Sequence, residues 1–151
     1  MTMKLSEYFE NAKGIGVLAT TDGAGQVNQA IYAKPLFLEK DDDTTCSFIM
    51  SNRLTHDNVG HNPSASYLFI EEGDACVGKR LSLIVGEEEF APEKIKAIRR
   101  RNDLPLSDEE CKYLVEFHIE GVRPLIGNEQ ENARFVACLR YRIDAGPPVA
   151  T

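Results

Sequence analysis

Apolar residues in this chain recur in short runs that alternate with polar ones or end abruptly at glycine, proline, asparagine and aspartate. That is the pattern of a β-rich domain rather than of long helices. In YLVEFHIEGV (113–122), Tyr113, Val115, Phe117 and Ile119 share one face, while Glu116, His118 and Glu120 share the other. This predicts a half-buried antiparallel strand with His118 on its solvated face. IGVLATT (15–21) and VNQAIYA (27–33) predict a hairpin closed by the turn DGAGQ. Further strands are expected in LFLE (36–39), after the interruption at Pro35, and in CSFIMS (46–51), ASYLFIEE (65–72), RLSLIVGEEEF (80–90) and FVACLRYRI (135–143). A loose tail is expected over 143–151.

Three helices fit between the strands. LSEYFENAKG (5–14) reads as an opening helix with Ser6 as cap and Gly14 as stop. A short helix begins near Thr55 and ends at Asn62-Pro63, and PEKIKAIRRR (92–101) carries Pro92 in its first turn. LPLSDEE (104–110) reads as a connection. Short strands joined by hairpins, with helices at the flanks, predict a mainly β fold: one antiparallel β-barrel domain over 1–151. No GxGxxG is present, which disfavours a dinucleotide-binding α/β sheet.

Composition narrows the partners. The chain is 42% hydrophobic and 27% charged, as in ordinary soluble domains, and its net charge is −7. An acidic balance disfavours duplex DNA and anionic membranes, and Arg99-Arg100-Arg101 suits the last turn of a helix. No apolar run is long enough to span a bilayer and the first residues lack a signal-peptide core, so the cytoplasm is the expected compartment. The four cysteines form no CxxC pair and the three histidines no HExxH, so free thiols and no metal site are expected.

The densest chemistry lies in FIMSNRLTHDNVGHNPSASYLFIEEG (48–73), where a strand turns into a helix among Ser51, Asn52, Arg53, Thr55 and His56. Hydroxyls, a guanidinium and unpaired first-turn N–H groups together suit a phosphate dianion. Equally open is a simpler reading, in which Thr55 caps the helix, Asn58 supports the cap and Arg53 is solvated. For His56, phosphate contact and plain exposure in the first turn are both open, and Lys79 and Arg80 could be an ordinary charged strand entrance.

GVLATTDGAGQVNQAIYA, the 48–73 stretch and GKRLSLIVGE together resemble the FMN-binding split-barrel family related to pyridoxamine 5′-phosphate oxidase. The resemblance runs through almost the whole chain. It implies FMN as cofactor, with Asn28, Gln29, Ala30 and Ile31 beside the isoalloxazine ring and Ile49, Met50, Ser51 and Asn52 near the ring edge and ribityl chain. Arg53, Thr55 and His56 would lie at the phosphate, with Lys79 and Arg80 adding basic groups, commonly across a homodimer interface. Lysine is usual in the helix-leading motif where this chain has Leu54-Thr55-His56, which leaves Arg53 the firmest ligand.

The implied activity is that of an oxidoreductase acting on an unassigned small substrate, reduced by a nicotinamide or another small donor. No catalytic residue is assigned, since the cofactor would carry the redox step. The chain has no tryptophan, and its end, CLRYRIDAGPPVAT, lacks the Arg-x-His of true pyridoxamine phosphate oxidases. Two alternatives accompany this reading: a non-catalytic flavin or redox-binding module, and a haem-binding split barrel using His56 or His61.

Overall fold

The first hairpin forms where alternation and turn chemistry coincide. Strands β1 (Gly14–Thr21) and β2 (Val27–Tyr32) pair antiparallel, with Val17 opposite Ile31 and Thr21 opposite Val27. Their turn closes on Asp22, whose carboxylate accepts the Ala24 and Gln26 N–H groups at 2.8 Å while Gly25 takes a φ of 85°. The computed structural model describes residues 3–39, 41–101 and 111–127. The strand expected over 135–143, the tail and the 104–110 connection lie outside the described residues.

The remaining elements are α1 (Leu5–Asn11), β3 (Thr45–Ser51), α2 (Leu54–His61), β4 (Ser64–Glu71), β5 (Gly78–Phe90), α3 (Pro92–Arg101) and β6 (Cys111–Pro124). The strands form one antiparallel six-stranded sheet in the order β2-β1-β4-β5-β6-β3. Register shifts between Ser82 and Leu83 and between Val85 and Glu88 interrupt the long β5–β6 ladder, and such bulges bend a sheet. The sheet is thus a curled half-barrel with β2 and β3 as its edges. Helix α2 packs against β1, β2 and β3 at one end.

Three local expectations are corrected. LFLE does not form a strand; its pairing is a single bridge between Leu36 and Ser47. Ser6 does not cap α1. The Leu5 and Ser6 N–H groups instead donate to the Asp43 carboxylate at 2.6 and 3.3 Å, so a distant side chain satisfies the helix end. The helix stops at Asn11, and Gly14 opens β1 rather than terminating α1.

The main core lies between α1 and the concave face of the sheet, built from Phe9, Leu18, Phe48, Tyr67, Phe69, Leu81, Val115 and Phe117. Phe9 meets Tyr67 and Phe69 edge-to-face and stacks on Phe37. Tyr67 is fully buried, and its hydroxyl donates to the Ala33 carbonyl at 3.2 Å, passing directly over Gly16. A Cβ at position 16 would overlap that hydroxyl, so only glycine fits. Strand β6 keeps the expected buried row at Val115 and Phe117 and leaves His118 exposed. Leu114 on its other face is covered by Ile95 and Ile98 of α3.

Candidate anion site at the β3–α2 junction

Strand β3 ends at Ser51, and the chain turns through Asn52 and Arg53 into α2. Arg53 occupies the cap position in an extended conformation, its own side chain makes no cap hydrogen bond, and no other described side chain is seen to accept the first-turn N–H groups. The first-turn N–H groups therefore face the turn without the hydroxyl that usually satisfies them. Arg53 is exposed beside them, and Ser51 is half-buried.

The cap that the sequence allows at Thr55 does not form, because Thr55 faces inward. Its hydroxyl is buried and accepts the Asn28 amide of β2 at 3.4 Å. Asn58, also buried, donates to Thr20 of β1 at 3.1 Å. Two polar bridges thus hold α2 against the first hairpin, leaving its N-terminus open.

His56 lies on another side of α2. Its ring stacks on Tyr113 with centroids 4.1 Å apart and planes 22° apart, and Nε2 bonds the Glu88 carboxylate of β5. Its Nδ1 is buried and has no hydrogen-bond partner among the described residues. Neither Glu88 nor Tyr113 was suggested by the sequence, since both lie far along the chain and carry no local signal.

The other expected site residues divide into three groups. Asn28 and Ala30 of β2 are half-buried, while Gln29 and Ile31 are exposed on the outer face, Ile31 at 73%. On β3, Ile49 is half-buried against α3, Asn52 beyond the strand is exposed, and the Met50 side chain is fully inside the core, leaving only its backbone towards the edge. Lys79 and Arg80 stand at the opposite end of β5 from Glu88, paired with Pro124 and Arg123. Nine residues of strand separate Lys79 from Glu88, on the order of 30 Å at about 3.3 Å per residue. Within one chain these two basic residues do not join the junction.

Both are engaged where they stand. Lys79 Nζ lies 4.5 Å above the Tyr8 ring, and the Arg80 guanidinium donates to the carbonyls of Pro124, at 3.0 Å, and Gly127. The Tyr8 hydroxyl donates to Glu71 at 2.5 Å; burial first, and then that carboxylate, push it well above the ordinary phenol range.

A cavity of about 550 Å³ opens between β3, β5, β6 and α3. Glu39, Glu87, Glu88, Glu89 and Glu116 line it against Lys94 and Arg101, a balance that repels a phosphate. Among the described residues no cluster of His, Cys, Asp and Glu is arranged to hold a metal ion. No described helix is long and apolar enough to cross a membrane.

A curled antiparallel sheet with a helix packed between its edges is the split-barrel architecture, and the chain has the fold of FMN-binding split-barrel proteins. An FMN-binding protein from Syntrophomonas wolfei superposes with a TM-score of 0.68 at 16% identity, covering 83% of this chain and 86% of that one. HutZ, the haem storage protein from Vibrio cholerae, superposes with a TM-score of 0.55 at 18% identity over 80% of this chain and 94% of its own. By sequence, the chain is similar to translation initiation factor 6 of Methanocaldococcus jannaschii, 31% identical over 112 residues. That match takes in 74% of this chain but spans less than half, 44%, of that protein. No family model matches the chain.

Proposed function

We propose that the protein is an FMN-binding flavoprotein, an oxidoreductase for a small substrate with a nicotinamide or another small molecule as reductant, working as a homodimer. The observation that carries this reading is the uncapped N-terminus of α2 beside Arg53, on a fold shared with an FMN-binding protein. A phosphate dianion would accept from the first-turn N–H groups and the Arg53 fork together. Ser51, Asn52 and the outward residues Gln29 and Ile31 would flank the ribityl chain and ring. Bound FMN would supply the electron or hydride transfer. The chain's part is to anchor the phosphate and leave one face of the ring open.

The homodimer rests on the outer face of the sheet. Ile15, Ile31 and Ile70 are exposed at 59, 73 and 40%. They surround half-buried Val17 and Leu68 through the pairings Val17–Ile31, Ile15–Ile70 and Val17–Leu68. A contiguous apolar face of this kind supports contact between two copies. Arg80 continues the same row opposite Leu68, so a second copy packed on this face would meet Arg80 as well.

Haem binding is the second reading, supported by the likeness to HutZ and by His61. His61 donates from Nδ1 to the Asp57 carbonyl at 2.8 Å, and its exposed ring directs Nε2 away from that bond. His56 is occupied by Glu88 and Tyr113. The absorption spectrum of the purified protein tests the two readings: flavin bands with releasable FMN support the first, and a Soret band the second. Anaerobic reduction by NADH or NADPH, followed by acceptor-dependent turnover, separates an enzyme from a flavin-binding module.

A further inference from the structure

We infer that Glu88 and Tyr113 are positioning residues for the anion site, removing His56 from the set of phosphate ligands and making its ring a strut between α2 and the β5–β6 ribbon. The consequence for the cofactor rests on the FMN reading; the strut itself does not. A carboxylate only accepts, so the Nε2 bonded to Glu88 carries the hydrogen. Nδ1 is buried and has no hydrogen-bond partner among the described residues. A phosphate would need an exposed donor, and the ring offers none: Nε2–H is spent on Glu88 and Nδ1 is shielded from solvent. The stacking on Tyr113 fixes the ring plane, and Phe90 buttresses Tyr113 edge-on with centroids 5.6 Å apart.

The same geometry explains why a strut belongs there. Asn58–Thr20 and Thr55–Asn28 tie α2 to β1 and β2, and neither bond reaches β5 or β6. His56 supplies a side-chain tie to β5 and β6. Held on both sides, the first turn keeps its N–H groups pointing in a fixed direction, with Arg53 at the cap position beside them. A loosened strut spreads that aim, which weakens a ligand gripped by its phosphate and spares one without it.

The test measures dissociation constants of FMN and riboflavin for the full chain, its H56A, E88A and E88Q variants and the H56A/E88A double variant. Expected are losses of FMN affinity of about tenfold in H56A and in E88A, a double variant no weaker than the weaker single, and about unchanged riboflavin binding. E88Q should recover most of the loss seen in E88A, because the Gln carbonyl still accepts Nε2–H. Tighter FMN binding by E88A would overturn the inference, since it is expected of a His56 freed to touch phosphate, and additive losses in the double variant would overturn it too, since they mean that the two residues act independently. Should H56A fail to fold, H56F keeps the stacking without the donor and is expected to match E88A. If the native protein takes up no FMN, the flavin reading fails, and the strut is then decided by histidine ¹⁵N spectra and thermal denaturation. An Nε2–H tautomer lost in E88A, with non-additive shifts of the melting temperature, supports it; mixed tautomers in the native protein or additive shifts overturn it.

Discussion

Asn58 donates to the Thr20 hydroxyl at 3.1 Å where both side chains are buried, joining the middle of α2 to the end of β1. Removing one partner strands the other away from water. Asn58→Ala should therefore destabilise the fold by about 1–3 kcal/mol, the desolvation cost of an unpaired buried polar group. Urea denaturation monitored by circular dichroism measures it. A loss within error of zero would mean that water replaces the amide.

Gly16 is constrained by Tyr67 rather than by its own backbone. A Cβ there would meet the Tyr67 hydroxyl and the Tyr32 carbonyl, and the ring has no other place in a packed core. Gly16→Ala should cost about 1–3 kcal/mol as overpacking. Adding Tyr67→Phe should restore part of that, although Tyr67→Phe alone is destabilising because the Ala33 carbonyl loses its donor. A double variant as unstable as the sum of the singles would break this account.

Arg53→Ala should weaken FMN binding by about 1.5–3 kcal/mol, the range for a hydrogen bond to a charged group. Riboflavin affinity should stay close to native, since it lacks the phosphate. Flavin fluorescence titration reads both, and an unchanged FMN affinity in the folded variant would remove Arg53 from the site.

Most strands were legible because each has one wet face, and alternation over 15–21, 27–33 and 113–122 records that directly. LFLE misled because it is apolar enough for a strand, yet only Leu36 finds a partner. The α1 cap was not legible at all: Asp43 lies far along the chain, and local spacing cannot encode a contact made by tertiary folding. The junction stood out through its concentration of polar types after an apolar run. Which of those residues face the solvent did not. Thr55 and Met50 point inward because β1, β2 and the core claim them, and the engagement of His56 depends on a bulged stretch of β5. Lys79 and Arg80 read as site residues by position in the chain, but the length of β5 separates them from the junction.

Alkali should unfold the protein earlier than its surface groups require. Burial, with a smaller push from Glu116, raises the Cys46 thiol from 9.0 to about 12, and burial likewise raises the Tyr67 hydroxyl. A raised folded value means that the unfolded chain releases its proton first as pH climbs. The stability tied to Cys46 is therefore fully present below pH 9.0 and is lost as pH rises towards 12. Urea midpoints measured from roughly pH 8 to 11 should fall, and less steeply in Cys46→Ala. The same burial protects the thiol, so iodoacetamide should label half-exposed Cys76 in the native protein well before Cys46.

Ile31 offers the sharpest test of the outer face. It is 73% exposed within one chain, so Ile31→Glu removes almost no packing there and should change the stability of the isolated subunit by no more than about 0.5 kcal/mol. If two copies meet through Ile15, Ile31 and Ile70, the same substitution buries a carboxylate in an apolar interface. Sedimentation should then shift from dimer to monomer, with far-UV circular dichroism unchanged. An Ile31→Glu protein that sediments as a dimer would place the contact between copies on some other face.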